Sequence, residues 1–249
     1  MSDLIDTTEM YLRTIYELYE EGIPAMRARI TERLHQSGPT VSQTIARMER
    51  DGLLTLDNER RIKLTDYGWA LASAVMRKHR LVELLLDQVI GLEWHQLHGE
   101  ACRWEHVVSE QVEARLMEIV DDPNFSPYGN PTPGLDALRN GSPVGPHHPG
   151  EIFSRGCQPI PQFLETHRGP VTVEVKRISE HLQADSRLLT SLAEVGLRPG
   201  ATVVISANGD EYSLKFVEGR GCVVDDVVAN SLFVAEPAKA AQSNSEPGA

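Results

Sequence analysis

The segment that most restricts the fold lies at residues 26–65. Residues 26–35 read as a short helix. Ser37-Gly38-Pro39-Thr40 then supplies a cap and a first-turn proline for another, which runs to about Arg50 and stops near Gly52. Leu53-Leu54-Thr55-Leu56 and Ile62-Lys63-Leu64-Thr65 are short apolar runs around a polar tip, Asp57-Asn58-Glu59-Arg60-Arg61, the pattern of a β-hairpin. Ahead of them, residues 8–19 carry Tyr11, Ile15, Leu18 and Tyr19 on one helical face. Three helices followed by a hairpin make a winged helix-turn-helix.

The third helix has two faces. Val41, Ile45 and Met48 are spaced to enter a core, whereas Thr40, Gln43, Arg47 and Arg50, with Ser42 beside them, face solvent. Hydroxyl, amide and guanidinium groups on one face suit base edges and phosphates. A lone helix with such a face would usually be merely solvated; the hairpin, with Arg60 and Arg61 placed to meet phosphate, favours duplex DNA. The candidate DNA contacts are Arg27, Ser37, Pro39, Thr40, Ser42, Gln43, Arg47, Arg50 and Arg60.

Charge distribution points the same way. The chain carries 24 Lys+Arg against 36 Asp+Glu, a formal net charge of −12. Residues 1–26 hold one base and six acids, net −5, while residues 27–80 hold eleven bases and six acids, net +5. The remaining residues therefore carry 12 − 24 = −12. Windows fluctuate by a few charges, but a basic block inside an acidic chain suits a local polyanion-binding surface.

At roughly 100–200 residues per domain, 249 residues argue for about two domains, and 41% apolar content excludes wholesale disorder. Apolar stretches are short and broken by charge, so no transmembrane helix is expected. The start, MSDLIDTTEM, lacks the basic and apolar regions of a signal peptide. Cys102, Cys157 and Cys222 are too few for a disulfide framework. A cytoplasmic protein is expected.

Past the hairpin, long helices are expected over residues 66–89 and 93–120. His79 and Glu83, at i and i+4, share a face of the first. His98, Cys102, Glu105 and His106 follow on the second at steps of four, three and one, a row of metal-binding side chains. Singly, such a His is usually structural, a Glu solvated and an intracellular Cys a small buried hydrophobe. Together on adjacent helices they point to metal. The sequence contains no H-E-x-x-H, G-x-S-x-G or phosphate-binding glycine loop, so no catalytic constellation is expected.

The strings DTTEMYLRTIYEL at 6–18, SGPTVSQT at 37–44, VMRKHRL at 75–81 and EACRWEH at 100–106 closely resemble the diphtheria toxin repressor family of iron-dependent regulators. The likeness is dense over residues 1–140 and thinner beyond. It implies a regulatory metal site of Met10, Cys102, Glu105 and His106. It implies an ancillary site of His79, Glu83 and His98, completed by Glu180 and Gln183 of the string EHLQ from a third domain. It further implies an oxyanion beside the ancillary ion, held by Arg80, Ser126 and Asn130. Thioether and thiolate sulfur favour softer, later divalent ions, so Cys102 and Met10 point to Fe(II) over Mn(II). Two ions per chain are implied, and Mn(II), Co(II), Ni(II), Zn(II) or Cd(II) should substitute in vitro.

The C-terminal third reads separately. Residues 141–169 are rich in Pro and Gly and suggest a flexible tether, in which His147-His148 would be solvated. Short strands are expected at 171–175, 202–205, 212–216 and 222–224, around a helical piece at 188–195. They form a small β-barrel similar to the SH3-like domain of many family members.

The fold class is thus mainly α with a small β domain. A winged helix-turn-helix (1–73) is followed by a helical dimerisation and metal-binding domain (74–140), the tether (141–169), an SH3-like barrel (170–236) and a disordered tail (237–249). The expected function is an iron(II)-activated homodimeric repressor, with one or two dimers on a palindromic operator of metal-homeostasis genes. A manganese-responsive relative and a metal-buffering protein are the rival readings.

Overall fold

The computed structural model describes residues 6–142, 153, 155–167, 169–216 and 220–237. His147-His148 and the rest of 143–152, residues 154 and 168, and the tail from residue 238 lie outside the described residues; of the expected tether, residues 158–165 form a short strand and a helical turn.

Helix α1 (Thr7–Glu20) starts where the Asp6 carboxylate accepts the backbone N–H groups of Thr8 and Glu9. Helix α2 (Arg27–Leu34) ends at His35 in the left-handed region, φ 50°. Helix α3 (Gly38–Arg50) is capped by the Ser37 hydroxyl, which accepts from Thr40 N, and carries Pro39 in its first turn. Strands β1 (Leu54–Leu56) and β2 (Ile62–Leu64) pair antiparallel, Leu54 opposite Leu64. Tyr11, Ile15, Ile30, Val41, Ile45, Met48, Leu54 and Ile62 are buried in one core. Each such side chain stabilises by about 1.5–3 kcal/mol.

Helix α4 (Asp66–Leu84) belongs to two cores. Its first half closes the N-terminal core through Trp69, Ala72 and Met76, with Trp69 meeting Tyr16 and Tyr19 edge-on. Its last turns put Leu81, Val82 and Leu84 into a second core. Between these apolar groups lie Arg77, His79, Arg80 and Glu83, all buried.

The helix continues as a single wide turn, Leu85–Ile90, which Gly91 ends in the left-handed region at φ 72°. The sequence reading of one helix over 93–120 needs correction. The structure divides it into a short 3₁₀ turn (Trp94–Gln96), α5 (Leu97–Trp104) and α6 (Glu110–Ile119). Ser109 accounts for the restart: its hydroxyl accepts from Val112 N as a new N-cap. Glu105 and His106 thus sit at a helix end, not on a continued helical face. Helix α7 (Leu135–Asn140) follows.

The C-terminal strands are β3 (Gln158–Pro159), β4 (Val171–Ile178), β5 (Thr202–Asn208), β6 (Glu211–Phe216), β7 (Gly221–Asp225) and β8 (Leu232–Ala235). Their order is β3-β8-β4-β5-β6-β7, antiparallel throughout. Val173, Val175, Ile178, Leu189, Ile205 and Leu214 share one buried cluster with Leu81, Trp94, Leu97 and Ala101. The sheet and the central helices therefore form a common core.

The loop 126–131 fastens that union. Ile178 N donates to Tyr128 O at 3.0 Å, and Asn130 Nδ2 donates to Ile178 O at 2.9 Å. Gly129 adopts φ +81°, and a Cβ there would stand 2.0 Å from the Lys176 carbonyl oxygen. Only glycine fits both demands. Gly129→Ala is expected to destabilise by at least about 1–3 kcal/mol, the cost of a strained backbone position, and to weaken binding of a first divalent ion by misplacing Glu180. Thermal melting and Zn(II) calorimetry on the variant check this; parental values in both would show that the loop does not position the strand.

Candidate metal centre

Side chains from three elements converge at the seam between the cores. His79 and Glu83 come from α4, His98 from α5, and Glu180 from the turn that follows β4. His79 Nε2 lies 2.9 Å from Glu83 Oε1 and 3.2 Å from His98 Nδ1, and His98 Nδ1 lies 3.3 Å from Glu180 Oε2. One potential ligand atom from each falls within 4.8 Å of all the others. Gln183, also buried, donates through Nε2 to Ile178 O at 2.8 Å.

Two buried oxygens here make no hydrogen bond, Glu83 Oε2 and Gln183 Oε1, and Glu180 Oε2 meets only the two imidazoles, at 3.3 and 3.5 Å. Buried acceptors are normally satisfied, and a divalent cation would take the two imidazole nitrogens, the Glu180 carboxylate and these two unpaired oxygens together. Burial disfavours the charged imidazoles, yet Glu83, Glu105 and Glu180 hold His79 well above its ordinary pKa. Cys102, Glu180 and Glu83 do the same for His98. Burial would push Glu180 up, but Arg80, His79 and His98 hold it well below the usual carboxylate range. An ion bound here would replace the imidazole protons.

The opposite edge of the His79 ring faces a second group. Nδ1 lies 2.6 Å from Glu105 Oε2, and Cys102 Sγ lies 3.5 Å from His98 Nε2. His106 Nε2 is 3.4 Å from Glu105 Oε1, and His106 Nδ1 meets Glu9 Oε2 at 2.7 Å. Sulfur, carboxylate and imidazole donors thus adjoin one another at the start of α1. Met10 is half-buried against the N-terminal core. Arg13, one turn further along α1, is the side chain that reaches Cys102 and Glu105.

Charge in this group is arranged around Arg13. Burial alone would push the Cys102 thiol up; Arg13, His98 and His79 outweigh it and bring it down to about 7. Glu105 is likewise held below the usual carboxylate range against burial, by Arg13 and His79. His106 is raised, chiefly by its hydrogen bond to Glu9.

Arg80, Ser126 and Asn130 also lie together. Arg80 is fully buried and grips Glu20 through Nη1 and Nη2 at 2.8 and 2.6 Å; its Nε and Nη2 reach Glu180 Oε1 at 3.1 and 2.9 Å. Ser126 Oγ accepts from Tyr128 N, and Asn130 Nδ2 approaches Glu180 Oε1 at 3.4 Å. The carboxylates at Arg80 in this structure are the protein's own Glu20 and Glu180.

The sequence reading gave Glu9, Arg13 and Glu20 no role at the site. The signal was available: Glu9, Arg13, Glu17 and Glu20 recur at steps of four, four and three, a charged stripe beside the apolar face of α1. Such a stripe normally faces water, whereas Glu17 and Glu20 are buried here.

Thr40, Ser42, Gln43, Arg47 and Arg50 of α3 are exposed, as are Ser37 and Pro39 at its start and Arg60 at the tip of the wing; Arg27 is half-buried. Arg60 adopts φ 60° at the hairpin tip. Arg61 pairs with Glu59 and Lys63 with Asp57, which leaves the wing less basic than its sequence suggests. Arg47 Nη2 donates to Thr8 Oγ1 at 3.4 Å, so α3 touches the first turn of α1.

Known proteins resemble this chain along most of its length. Residues 3–61 match the family model of the iron-dependent repressor N-terminal DNA-binding domain, and residues 65–134 that of its metal-binding and dimerisation domain. The iron-dependent repressor IdeR of Mycobacterium tuberculosis is 54% identical over 206 residues, covering 82% of this chain and 86% of the relative. The diphtheria toxin repressor of Corynebacterium diphtheriae is 45% identical over 237 residues, covering 95% of this chain and 100% of the relative. A solved manganese-dependent transcriptional repressor in complex with manganese matches with a TM-score of 0.71 at 26% identity, covering 92% of this chain and 99% of its own.

The thiols should separate by pH. Cys102 is brought down to about 7, whereas burial pushes Cys157 and Cys222 up. Iodoacetamide labelling of metal-free protein, followed by peptide mass spectrometry, should give a midpoint near pH 7 for Cys102, with the other two titrating above an ordinary thiol. A Cys102 midpoint as high as theirs would remove Arg13 and His98 as its charge partners.

Proposed function

Because this chain belongs to the iron-dependent repressor family, we propose that it is an iron(II)-activated, homodimeric transcriptional repressor. It acts in the cytoplasm on palindromic operators of metal-homeostasis genes. Metal is a corepressor in this reading, and no reaction is catalysed.

One observation carries the reading: the first turns of α1 touch both the candidate metal donors and α3. Glu9 pairs with His106, and one residue earlier in that helix Thr8 accepts from Arg47. The regulatory ion would be held by Met10, Cys102, Glu105 and His106. The ancillary ion would be held by His79, Glu83, His98, Glu180 and Gln183, giving two ions per chain. A divalent cation held by these residues would supply positive charge to the Cys102–His106 turn in place of the Arg13 guanidinium that meets it here. His79, with one ring nitrogen toward each group, links the two sites. A free oxyanion at Arg80, Ser126 and Asn130 would have to replace the Glu20 carboxylate.

A ligand shifts an equilibrium only by binding one state better. Fixing the start of α1 fixes the contact at Arg47 and, with it, the pose of α3. In a two-fold dimer the two α3 helices would then meet half-sites about one helical turn, ~34 Å, or a multiple apart. Val89, Ile90, Val107, Val112 and Ile119 are exposed apolar residues within the matched dimerisation segment, and a second copy is what would cover them. The sulfur of Cys102 favours Fe(II) over Mn(II).

Fluorescence anisotropy on operator DNA, anaerobic and with Fe(II), tests the whole scheme. Cys102→Ala should lose the Fe(II) response while retaining its fold by circular dichroism. Arg47→Ala or Arg50→Ala should weaken binding and lower the salt slope by roughly one unit each, the signature of a lost phosphate contact. Parental Fe(II) response in Cys102→Ala would displace the regulatory site; unchanged slopes in both arginine variants would move the DNA surface elsewhere.

A further inference from the structure

Arg13 stands where a metal ion would. Its Nη1 lies 2.9 Å from Cys102 Sγ, 3.0 Å from Glu105 Oε2 and 3.1 Å from His79 Nδ1. Thiolate sulfur and carboxylate oxygen around one point are a cation-binding arrangement, and the cation there is a guanidinium fixed to α1; His79 Nδ1, held protonated against Glu105, is only its neighbour. The side chain is only 12% exposed, so solvent does little to weaken these contacts. It has a second mooring: Nε lies 3.2 Å from Glu17 Oε1, one turn further along the helix. Glu17 belongs to neither candidate metal site.

A guanidinium remains charged at every physiological pH and offers five donors but no lone pair. It can satisfy Cys102 and Glu105, yet it can never share a metal's coordination shell as a ligand. Any ion that coordinates Cys102 and Glu105 must therefore take the place of Nη1.

We propose that Arg13 is a built-in competitor of the regulatory metal, occupying the Cys102–Glu105 donor pair until a divalent ion displaces it towards Glu17. The proposal rests on the assignment of Cys102 and Glu105 to the regulatory site. Displacement subtracts the guanidinium contacts from the ion's binding free energy, so Arg13 raises the activation threshold. The same contacts are lost whichever ion enters, so Arg13 sets the activation threshold and leaves the ratio of affinities between ions to the donors themselves.

Anaerobic Co(II) titration of full-length protein tests this, because Co(II)–thiolate coordination produces a charge-transfer absorption that reports Cys102 directly. Arg13→Gln should reach half-maximal absorption at a Co(II) concentration at least ten-fold lower than the parent. Arg13→Lys, which keeps a charge, should stay within about three-fold of it. Equal or weaker Co(II) binding by Arg13→Gln would overturn the proposal, because Arg13 would then support the site. If the parent itself develops no thiolate band, the site assignment fails instead. A crystal structure of the Zn(II)-loaded parent decides independently of whether the variants fold. Arg13 withdrawn from Cys102 supports displacement, and Nη1 still hydrogen-bonded to Sγ overturns it.

Discussion

Burying charge between two apolar cores is the constraint on which the rest of the molecule depends. Along one stretch of α4, His79, Arg80 and Glu83 are removed from water, and Glu20, Glu105 and Glu180 are brought in to meet them. An isolated charge in such surroundings is prohibitive, and deleting one partner of a buried pair typically costs about 3–5 kcal/mol. Each carboxylate must therefore arrive at its position or the seam fails. Arg80 enforces this on both sides at once, gripping Glu20 of α1 and Glu180 beyond β4. The metal donors inherit their placement from this electrostatic framework.

The same framework explains why separate parts of the chain act as one device. Helix α4 contributes apolar residues to each core at its two ends and polar residues between them. Loop 126–131 presses its glycine against the Lys176 carbonyl, which fixes where β4 ends and where Glu180 begins. His79 then spans the remaining gap with one ring, Nε2 to Glu83 and Nδ1 to Glu105.

Much of this was legible in the sequence, for identifiable reasons. The 3.6-residue period of α1 and α3, the Ser37-Gly38-Pro39 start and the hairpin are local signals, and the structure has each of them. His79 with Glu83 is an i, i+4 pair, visible from helical geometry alone. The break after Trp104 was missed because residues 105–109 contain neither proline nor glycine, and Ser109 reads equally well inside a helix or as a cap. β3 and β8 were missed because two and four residues are too short to show alternation. Glu9, Arg13 and Glu20 were missed for a deeper reason. Periodicity identifies the apolar face of a helix, but only tertiary structure decides whether its charged face meets water or another charged element.

The division of the apolar residues into two cores bears on how the chain acquires its structure. The first core draws only on residues 11–76, whereas the second gathers residues from Leu81 to Val234. Contacts close in sequence form quickly and distant ones slowly, and domains tend to fold as units from the N-terminus during synthesis. The DNA-binding half can therefore close while the ribosome is still translating the sheet. Until α5, α6 and the sheet have emerged, α4 projects from it with Leu81, Val82 and Leu84 uncovered, an apolar surface of the kind that promotes aggregation during synthesis.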